Sequence, residues 1–224
     1  MNVYFISGLG ADCRVFNNIR LPLGHEAVHL HWIKPFKNEF LRDYALRLAQ
    51  GIDQTKPYVL VGLSMGGMIA TEIANHLNPV FTILISSVPL SAQLPRYFRI
   101  GGRFRLYRLV PPRVLSSGMI LKRFFVVKSK KDKILLQDML RDMDPEFIRW
   151  AIHAVATWSN SQLPPEYAHI HGAWDRILPV RFCKPTEILR KAGHLMVVNR
   201  AAEVNIFIEK VFLAIKKSAS KVHQ

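Results

Sequence analysis

A serine stands between two glycines in the segment Gly62-Leu63-Ser64-Met65-Gly66, which has G-x-S-x-G spacing. The segment follows an apolar run, residues 58–63, and opens a stretch with helical patterning. In this strand–turn–helix context the turn is tight, the serine takes strained dihedral angles, and small neighbours let the strand and the helix approach. The hydroxyl then projects near a helix N-terminus, whose dipole favours developing negative charge. Ser64 is therefore predicted to be a nucleophile, and the alternative is an ordinary turn serine.

A serine hydroxyl is a weak nucleophile near neutral pH and needs a general base. His194 is the best candidate among the nine histidines, because it lies between the last predicted strand and the last predicted helix. The base in turn needs an acid that fixes its tautomer and stabilises its charged form. Asp175 follows the fifth predicted strand, which gives the chain order serine, acid, histidine. Asp144 is the weaker candidate, because it precedes Pro145 and resembles a helix N-cap.

Acyl transfer also requires N–H donors for the oxyanion that forms on the attacked carbonyl. The backbone N–H of Met65, directly after the nucleophile, is one predicted donor. Leu9, in the glycine-rich segment Ser7-Gly8-Leu9-Gly10, is predicted to supply the other. The alternative for this segment is a dinucleotide-binding turn. That alternative is disfavoured because position 13 is cysteine rather than a third glycine, and no acidic residue ends the second strand.

Six short apolar runs are predicted strands, since near-continuous apolar character is typical of strands buried on both faces of a parallel sheet. They are Val3–Ile6, Ala27–Ile33, Tyr58–Leu63, Phe81–Ser86, Tyr167–His171 and Thr186–Leu189. Helical periodicity covers Glu39–Asp53, Gly66–Leu77 and Ala201–Lys217. The alternation predicts an α/β fold, with a mostly parallel sheet of about six strands flanked by helices and joined by right-handed crossovers.

The stretch between Leu90 and Leu163 contains no convincing strand. Helical patterning instead covers Arg96–Leu109, Arg113–Val127, Asp132–Arg141 and Pro145–Trp158. We therefore divide the chain into a core, residues 1–89 and 164–224, and a helical insertion, residues 90–163, that lies over one end of the sheet.

The motifs, in this order, resemble those of the α/β-hydrolase superfamily, and the resemblance runs from Val3 nearly to the C-terminus. The matching segments are Ser7–Gly10 (an HG-x-G oxyanion loop with serine for the usual histidine), Gly62–Gly67 (the nucleophile elbow), His171–Pro179 (the HGxxDxxxP acid motif) and Gly193-His194 (the GH base motif). The resemblance implies a serine hydrolase that acts on a carboxylic ester or related acyl substrate through Ser64, His194 and Asp175. It implies no metal and no organic cofactor.

Two departures from the family pattern bear on the fold and the site. Nothing precedes the first strand, so the two antiparallel strands that usually open the family's sheet are expected to be missing. Only 18 residues separate Asp175 from His194, where the family usually has a full helix before the last strand. We expect that helix to be reduced to a turn around Val180–Lys184, and the triad then depends on pairing of the last strand.

The same fold also carries thioesterases, C–C hydrolases and cofactor-free peroxidases, and these remain alternatives, as does a non-catalytic binding protein. By the resemblance, the insertion would be a cap that shapes the substrate pocket. Twelve basic residues lie from Arg96 to Lys133, where Asp132 is the only acid, and the chain carries a net charge of +15. This charge favours an anionic acyl substrate or peripheral contact with an anionic membrane, the alternative being a solvated basic face.

No nucleic-acid-reading motif accompanies the basic run, so a nucleic-acid partner is not expected. Two cysteines, Cys13 and Cys183, give neither a disulfide framework nor zinc-ligand spacing. The N-terminal residues form a predicted core strand and no cleavable leader, and no segment has the character of a membrane span. We expect a cytoplasmic protein.

Overall fold

The computed structural model describes residues 1–103 and 129–222. The predicted helix over 113–127, the end of the predicted helix Arg96–Leu109 and six of the twelve basic residues lie outside the described residues. One sheet of six strands forms the centre of the molecule, in the order β2-β1-β3-β4-β5-β6. Its strands are β1 (Asn2–Ile6), β2 (Glu26–Leu30), β3 (Tyr58–Leu63), β4 (Phe81–Ile85), β5 (Tyr167–Gly172) and β6 (Glu187–Leu189). All five neighbouring pairs are parallel.

The strand order reverses between β1 and β3, which pair with Ile6 opposite Gly62. The chain leaves β1 toward β2 on one side and leaves β3 toward β4 on the other. The connections that follow these two strands therefore diverge and open a crevice at the carboxyl ends of the strands, the place where open α/β sheets bind ligands. The predicted oxyanion segment and the predicted nucleophile both begin at this crevice.

Both faces of the sheet are covered by helices, which explains the unbroken apolar runs of its strands. The helices are α1 (Leu41–Leu48), α2 (Met65–His76), α3 (Arg96–Arg103), α4 (Lys130–Asp142), α5 (Pro145–Ala156), α6 (Met196–Asn199) and α7 (Ala201–Val222). Side chains of β1 and β3 alternate between faces. Tyr4 and Leu60 join the apolar cluster that contains α1, α2 and α5, whereas Val3 and Val59 join the cluster that contains α6 and α7.

The predicted fold class is confirmed, but two predicted elements are shorter in the structure. The second strand ends at Leu30 rather than Ile33, and the first helix begins at Leu41 rather than Glu39. Side chains satisfy the backbone between them. The Tyr44 hydroxyl bonds the N–H and the carbonyl of Ile33, and the Glu39 carboxylate accepts the N–H of Phe36. These long-range contacts hold the segment in an irregular path that periodicity alone does not reveal.

The edge strand β6 is short but pairs with β5, with Gly172 opposite Leu189. A single turn of 3-10 helix, Val180–Phe182, stands between them, at the position predicted for a reduced helix. The last helix continues to Val222, five residues beyond its predicted end.

Within residues 90–103 and 129–163 the structure contains helices and no strand. The helix α5 packs in the apolar cluster on one face of the sheet, where Trp150 and Trp158 are buried. The Trp158 indole N–H donates to the Glu72 carboxylate of α2 at 2.6 Å. This contact joins the end of the segment to the sheet-covering helices. The division into core and cap stays a prediction.

Among the helices of residues 1–103 and 129–222, none combines the length and apolar character needed to cross a bilayer.

The buried Glu72 carboxyl yields a prediction about pH and stability. Burial raises the pKa of Glu72, although the hydrogen bond from Trp158 opposes the rise. The folded state therefore binds this proton more tightly than the unfolded state, and the carboxyl costs stability as pH rises above its ordinary pKa of 4.5. Glu72→Gln keeps the acceptor and removes the charge. We expect it to raise the free energy of unfolding by about 1 kcal/mol at neutral pH and by little in acid.

Urea unfolding of both proteins at about pH 4 and about pH 7.5 measures this difference. Glu209→Gln, at an exposed position on α7, is the matched control and should change nothing. Destabilisation by Glu72→Gln at neutral pH would mean that the Glu72 charge is compensated in the folded protein.

Candidate active site

The chain turns from β3 into α2 at Ser64, whose backbone has φ 54° and ψ −120°. A positive φ is uncommon for a residue with a side chain, and it is held here by surrounding hydrogen bonds. The Ser64 N–H donates to the Ile85 carbonyl of β4 at 2.9 Å, and the Gly67 N–H donates to the Ser64 carbonyl at 2.9 Å. The Ser87 hydroxyl donates to the same carbonyl at 2.7 Å.

The glycines around Ser64 are required by close contacts between backbones. A Cβ on Gly66 would overlap the carbonyl oxygens of Ile6 and Ser7, and one on Gly62 would overlap the Gly66 carbonyl. The first turn of α2 therefore lies directly against the end of β1 and the start of the segment that follows it. This contact brings the nucleophile next to the predicted oxyanion segment.

The structure brings Ser64, His194 and Asp175 into one hydrogen-bonded line. The Ser64 hydroxyl lies 2.8 Å from His194 Nε2, and His194 Nδ1 lies 2.7 Å from Asp175 Oδ2. Because a carboxylate only accepts, Nδ1 carries the proton and Nε2 accepts the hydrogen bond of the Ser64 hydroxyl. His194 is nearly buried, in the segment between β6 and α6. The arrangement can generate a serine nucleophile.

Asp175 is held in its orientation by its own loop. Its Oδ1 accepts the N–H groups of Ile177 and Leu178 at 2.8 and 2.9 Å, which leaves Oδ2 for His194. Burial alone would raise the pKa of Asp175, but the charges and hydrogen bonds of His194 and His171 outweigh it and hold the pKa well below its ordinary value. The Asp175 carboxyl is therefore ionised at neutral pH.

The loop after β5 holds Asp175 and is called the acid loop, and the loop after β6 holds His194 and is called the base loop. The two loops lie against each other despite the short connection between them. The Trp174 N–H donates to the Ala192 carbonyl at 2.9 Å, and the Ala173 N–H donates to the Leu189 carbonyl at 3.1 Å. A Cβ on Gly172 would overlap the Ala192 carbonyl. Pairing of β6 with β5 thus carries the base loop directly onto the acid loop.

The glycine-rich segment Ser7–Gly10 curves around the nucleophile. A Cβ on Gly8 would lie 3.2 Å from the Ser64 Cβ. The Ser7 hydroxyl donates to the Ala11 carbonyl at 3.0 Å, and the Trp32 indole N–H donates to the same oxygen at 2.8 Å. Serine in place of the family's usual histidine therefore shapes this loop. Leu9 lines a cavity together with Ser64 and His194. Met65 begins α2 directly after the nucleophile.

The helix α4 covers this cavity, whose volume is about 30 Å³. Leu136 and Leu140 of α4 form part of its wall. Arg14 ties the C-terminal end of α4 to the loop after β1, because its guanidinium bonds Asp12 at 2.6 Å and Asp142 at 2.7 Å. The cover over Ser64 is thus joined by ion pairs to the segment that holds Leu9.

The weaker acid candidate from the sequence, Asp144, has a structural role. The Asp144 side chain accepts the Glu146 N–H at 2.9 Å and caps α5, as its position before Pro145 predicts. Trp150 and Trp158 pack in the core, and Trp174 is about half exposed at 53 %.

Sequence reasoning gave no separate role to a group of side chains behind Asp175. His169 and His171 of β5 and Cys183 are buried, and one ligand atom from each lies within 4.8 Å of the others. In the described part of the chain this is the only such group with metal-ligand chemistry. The two imidazoles already share a hydrogen bond of 3.0 Å between His169 Nε2 and His171 Nδ1, so each ring has a partner without a metal. The spacing i, i+2 on a buried strand is the signal that could have revealed the pair.

Comparisons with known proteins agree with the fold described above. A model of the alpha/beta hydrolase family matches residues 3–205. Comparison with curated proteins gives no match. Among solved structures, a thermophilic esterase from Thermogutta terrifontis is similar with a TM-score of 0.74 and 19% identity, over 96% of this chain and 90% of that one.

Two further structures show the same fold. A lipase-esterase related protein from Clostridium acetobutylicum has a TM-score of 0.72 and 16% identity, over 93% of each chain. A bromoperoxidase from Bacillus anthracis has a TM-score of 0.69 and 15% identity, over 96% of this chain and 91% of that one.

The tight turn at Ser64 yields a prediction about glycine. Gly66→Ala places a Cβ against the carbonyls of Ile6 and Ser7, which are backbone atoms that cannot move aside alone. We expect the free energy of unfolding to fall by roughly 3 kcal/mol, as in overpacked cores. Gly101→Ala is the control, since it also lies in a helix but meets open space. Chemical denaturation measures both variants, and equal stability of the two would contradict the contact.

Proposed function

Because this chain belongs to the alpha/beta hydrolase family, we propose that it is a serine hydrolase that cleaves a carboxylic ester or related acyl substrate. The observation that carries the proposal is the hydrogen-bonded line from Asp175 through His194 to the Ser64 hydroxyl. The positive φ of Ser64 supports it further, because strained backbone is characteristic of catalytic positions.

In the first step, Ser64 Oγ forms a bond to the substrate carbonyl carbon while its proton passes to His194 Nε2. The tetrahedral intermediate then collapses, the bond to the leaving alcohol breaks, and His194 returns the proton to that alcohol. Water attacks the acyl-enzyme in the second step, with His194 again as base. The carboxylic acid leaves and Ser64 regains its proton. Asp175 holds Nδ1 protonated throughout and stabilises the imidazolium.

In this proposal the N–H groups of Leu9 and Met65 bind the oxyanion. Each such donor contributes about 3 kcal/mol to stabilisation of the transition state. The close approach of Gly8 to Ser64 supports the role of the loop, because it places the segment that holds Leu9 beside the proposed nucleophile. The reaction needs no metal and no organic cofactor.

Two of the similar structures are an esterase and a lipase-esterase related protein, which favours ester hydrolysis. Another is a bromoperoxidase, and cofactor-free peroxidase chemistry at the same serine is therefore the alternative reaction.

An anionic substrate is favoured by a second observation. A cavity of about 630 Å³ adjoins the base loop at Gly193. Its lining includes two cations, Lys191 and Arg200, and one acid, Asp132. Arg200 is also paired with Glu203. With the net charge of +15, these cations favour an acid, phosphate or coenzyme-A group on the substrate.

Covalent labelling tests the proposed mechanism. We expect a fluorophosphonate probe to modify Ser64 of the wild-type protein, because the His194 base makes that hydroxyl nucleophilic. Asp175→Asn should slow labelling by about 10⁴-fold, since the amide favours the wrong imidazole tautomer. Intact-mass and peptide mass spectrometry measure the modification.

Ser64→Ala should remain unlabelled, whereas Ser218→Ala, at an exposed position of α7, should react like the wild type. A folded wild-type protein that stays unlabelled would reject the mechanism. Binding to anionic vesicles that persists in Ser64→Ala, without labelling of the wild type, would instead favour a binding protein on a hydrolase fold.

The small cavity beneath α4 predicts a preference for short acyl groups. A volume of about 30 Å³ holds one or two non-hydrogen atoms beyond the reacting carbonyl. Leu140→Ala removes part of the wall, so the ratio of kcat/KM for a six-carbon to a two-carbon acyl group should rise about tenfold. Hydrolysis of acyl esters and acyl-coenzyme A thioesters of increasing length measures this ratio and compares the two leaving groups.

Ile134→Ala, on the exposed side of α4, is the matched control and should leave the ratio unchanged. An unchanged ratio in Leu140→Ala would mean that the acyl group binds elsewhere.

A further inference from the structure

Two histidines of β5 face the same side of the strand, because residues i and i+2 share a face. His169 and His171 are both fully buried. His169 Nε2 and His171 Nδ1 lie 3.0 Å apart, so one proton joins the two rings. Burying an imidazole costs desolvation free energy unless hydrogen bonds compensate for it. The hydrogen bonds of this pair beside Asp175 therefore indicate its role in the site.

The other side of the His171 ring faces the loop that holds the catalytic acid. His171 Nε2 donates to the Leu178 carbonyl at 2.7 Å and lies 3.3 Å from Asp175 Oδ2. The same oxygen accepts Nδ1–H of His194. The Leu178 N–H, in turn, binds the other oxygen of Asp175. His171 therefore contacts both the carboxylate and the backbone that orients it.

We propose that His171 is a positioning residue of the triad: as an imidazolium, it clamps the Leu178 carbonyl and the Asp175 carboxylate so that Asp175 stays directed at His194. His169 accepts the proton of His171 Nδ1 and fixes the rotation of the His171 ring. This inference rests on the proposed function, since it assigns a role within the same triad.

Two groups that face His171 favour its charged form, Asp175 of the acid loop and Cys183 after the 3-10 helix. The third neighbour, His169 of the same strand, is neutral. Burial alone would lower the pKa of His171, but hydrogen bonds to Asp175 and Cys183 outweigh it and raise the pKa to about 10. Burial and the neighbouring His171 lower the pKa of His169 to about 3, so His169 stays neutral and accepts. Two further titratable groups, His194 and the Tyr97 hydroxyl, interact electrostatically with the Asp175 carboxylate.

A cation behind Asp175 has a consequence for the base. It offsets part of the negative charge that favours the protonated form of His194, and the catalytic form of His194 is the neutral one. Substitution of His171 removes this offset. The acidic limb of the pH–rate profile then moves upward.

Two substitutions separate the hydrogen bond from the charge. His171→Met removes both, whereas His171→Gln keeps an N–H donor near the position of Nε2 and removes only the charge. The readout is the second-order rate of fluorophosphonate labelling at Ser64 across pH, which requires no knowledge of the substrate. His29→Gln, on β2 at the other end of the sheet, is the matched control.

We expect His171→Met to label about tenfold more slowly at its optimum, as a misdirected triad would. His171→Gln should recover most of that rate. In both variants the acidic limb should move upward by about half a pH unit or more. Wild-type rate and an unmoved limb in His171→Met would overturn the proposal. An equal loss in both variants without a shifted limb would also overturn it, because it indicates a structural role alone.

A measurement on the wild type keeps the test independent of variant folding. Imidazole ¹H–¹⁵N correlation spectra near neutral pH should show both nitrogens of His171 protonated and one nitrogen of His169 protonated. A neutral His171 would overturn the proposal. Absence of labelling in the wild-type protein, by contrast, would overturn the proposed function itself, so the two failures are distinguishable.

Discussion

Ser64 is forced into a left-handed backbone conformation because β3 passes into α2 within one residue, and the surrounding backbone leaves space only for hydrogen at Gly62 and Gly66. This steric constraint determines what can lie nearby. The first turn of α2 contacts the end of β1, so the loop after β1 must pass over the nucleophile. The Ser64 carbonyl accepts the Gly67 N–H from within the same turn and the Ser87 hydroxyl from the exit of β4. The predicted oxyanion loop and the proposed nucleophile thus share one rigid origin.

The acid and the base are arranged by a different principle. Asp175 and His194 stand at the ends of β5 and β6, and the two loops bond each other through the Trp174 N–H and the Ala192 carbonyl. A full helix between them is unnecessary, because a single 3-10 turn, Val180–Phe182, already returns the chain to the sheet edge. The short connection that made the pairing uncertain from sequence is compatible with a 2.7 Å contact between Asp175 and His194.

The local sequence predicts the fold and the chain order of the site residues, because the patterns that reveal them reflect local steric requirements. A strand, a G-x-S-x-G turn and a helix can be recognised within a dozen residues, and parallel strands bring their carboxyl ends to one edge. Three features could not be predicted. The cover formed by Leu136 and Leu140, the path held by Tyr44 and Glu39, and the contact of His171 with Asp175 all arise from packing between distant segments. Their residue types are ordinary in a core, so no local pattern separates them from structural neighbours.

The strands that position Ser64 and His194 differ in length and in pairing, so the two parts of the site differ in their stability against local unfolding. Ser64 is fixed by β3, which pairs on both sides, whereas His194 depends on β6, a three-residue strand at the edge of the sheet. Edge elements with few hydrogen bonds open locally at a free-energy cost below that of global unfolding. Such an opening withdraws the imidazole and leaves the serine turn intact. We therefore expect warming to reduce the population in which His194 contacts Ser64 before the fold melts.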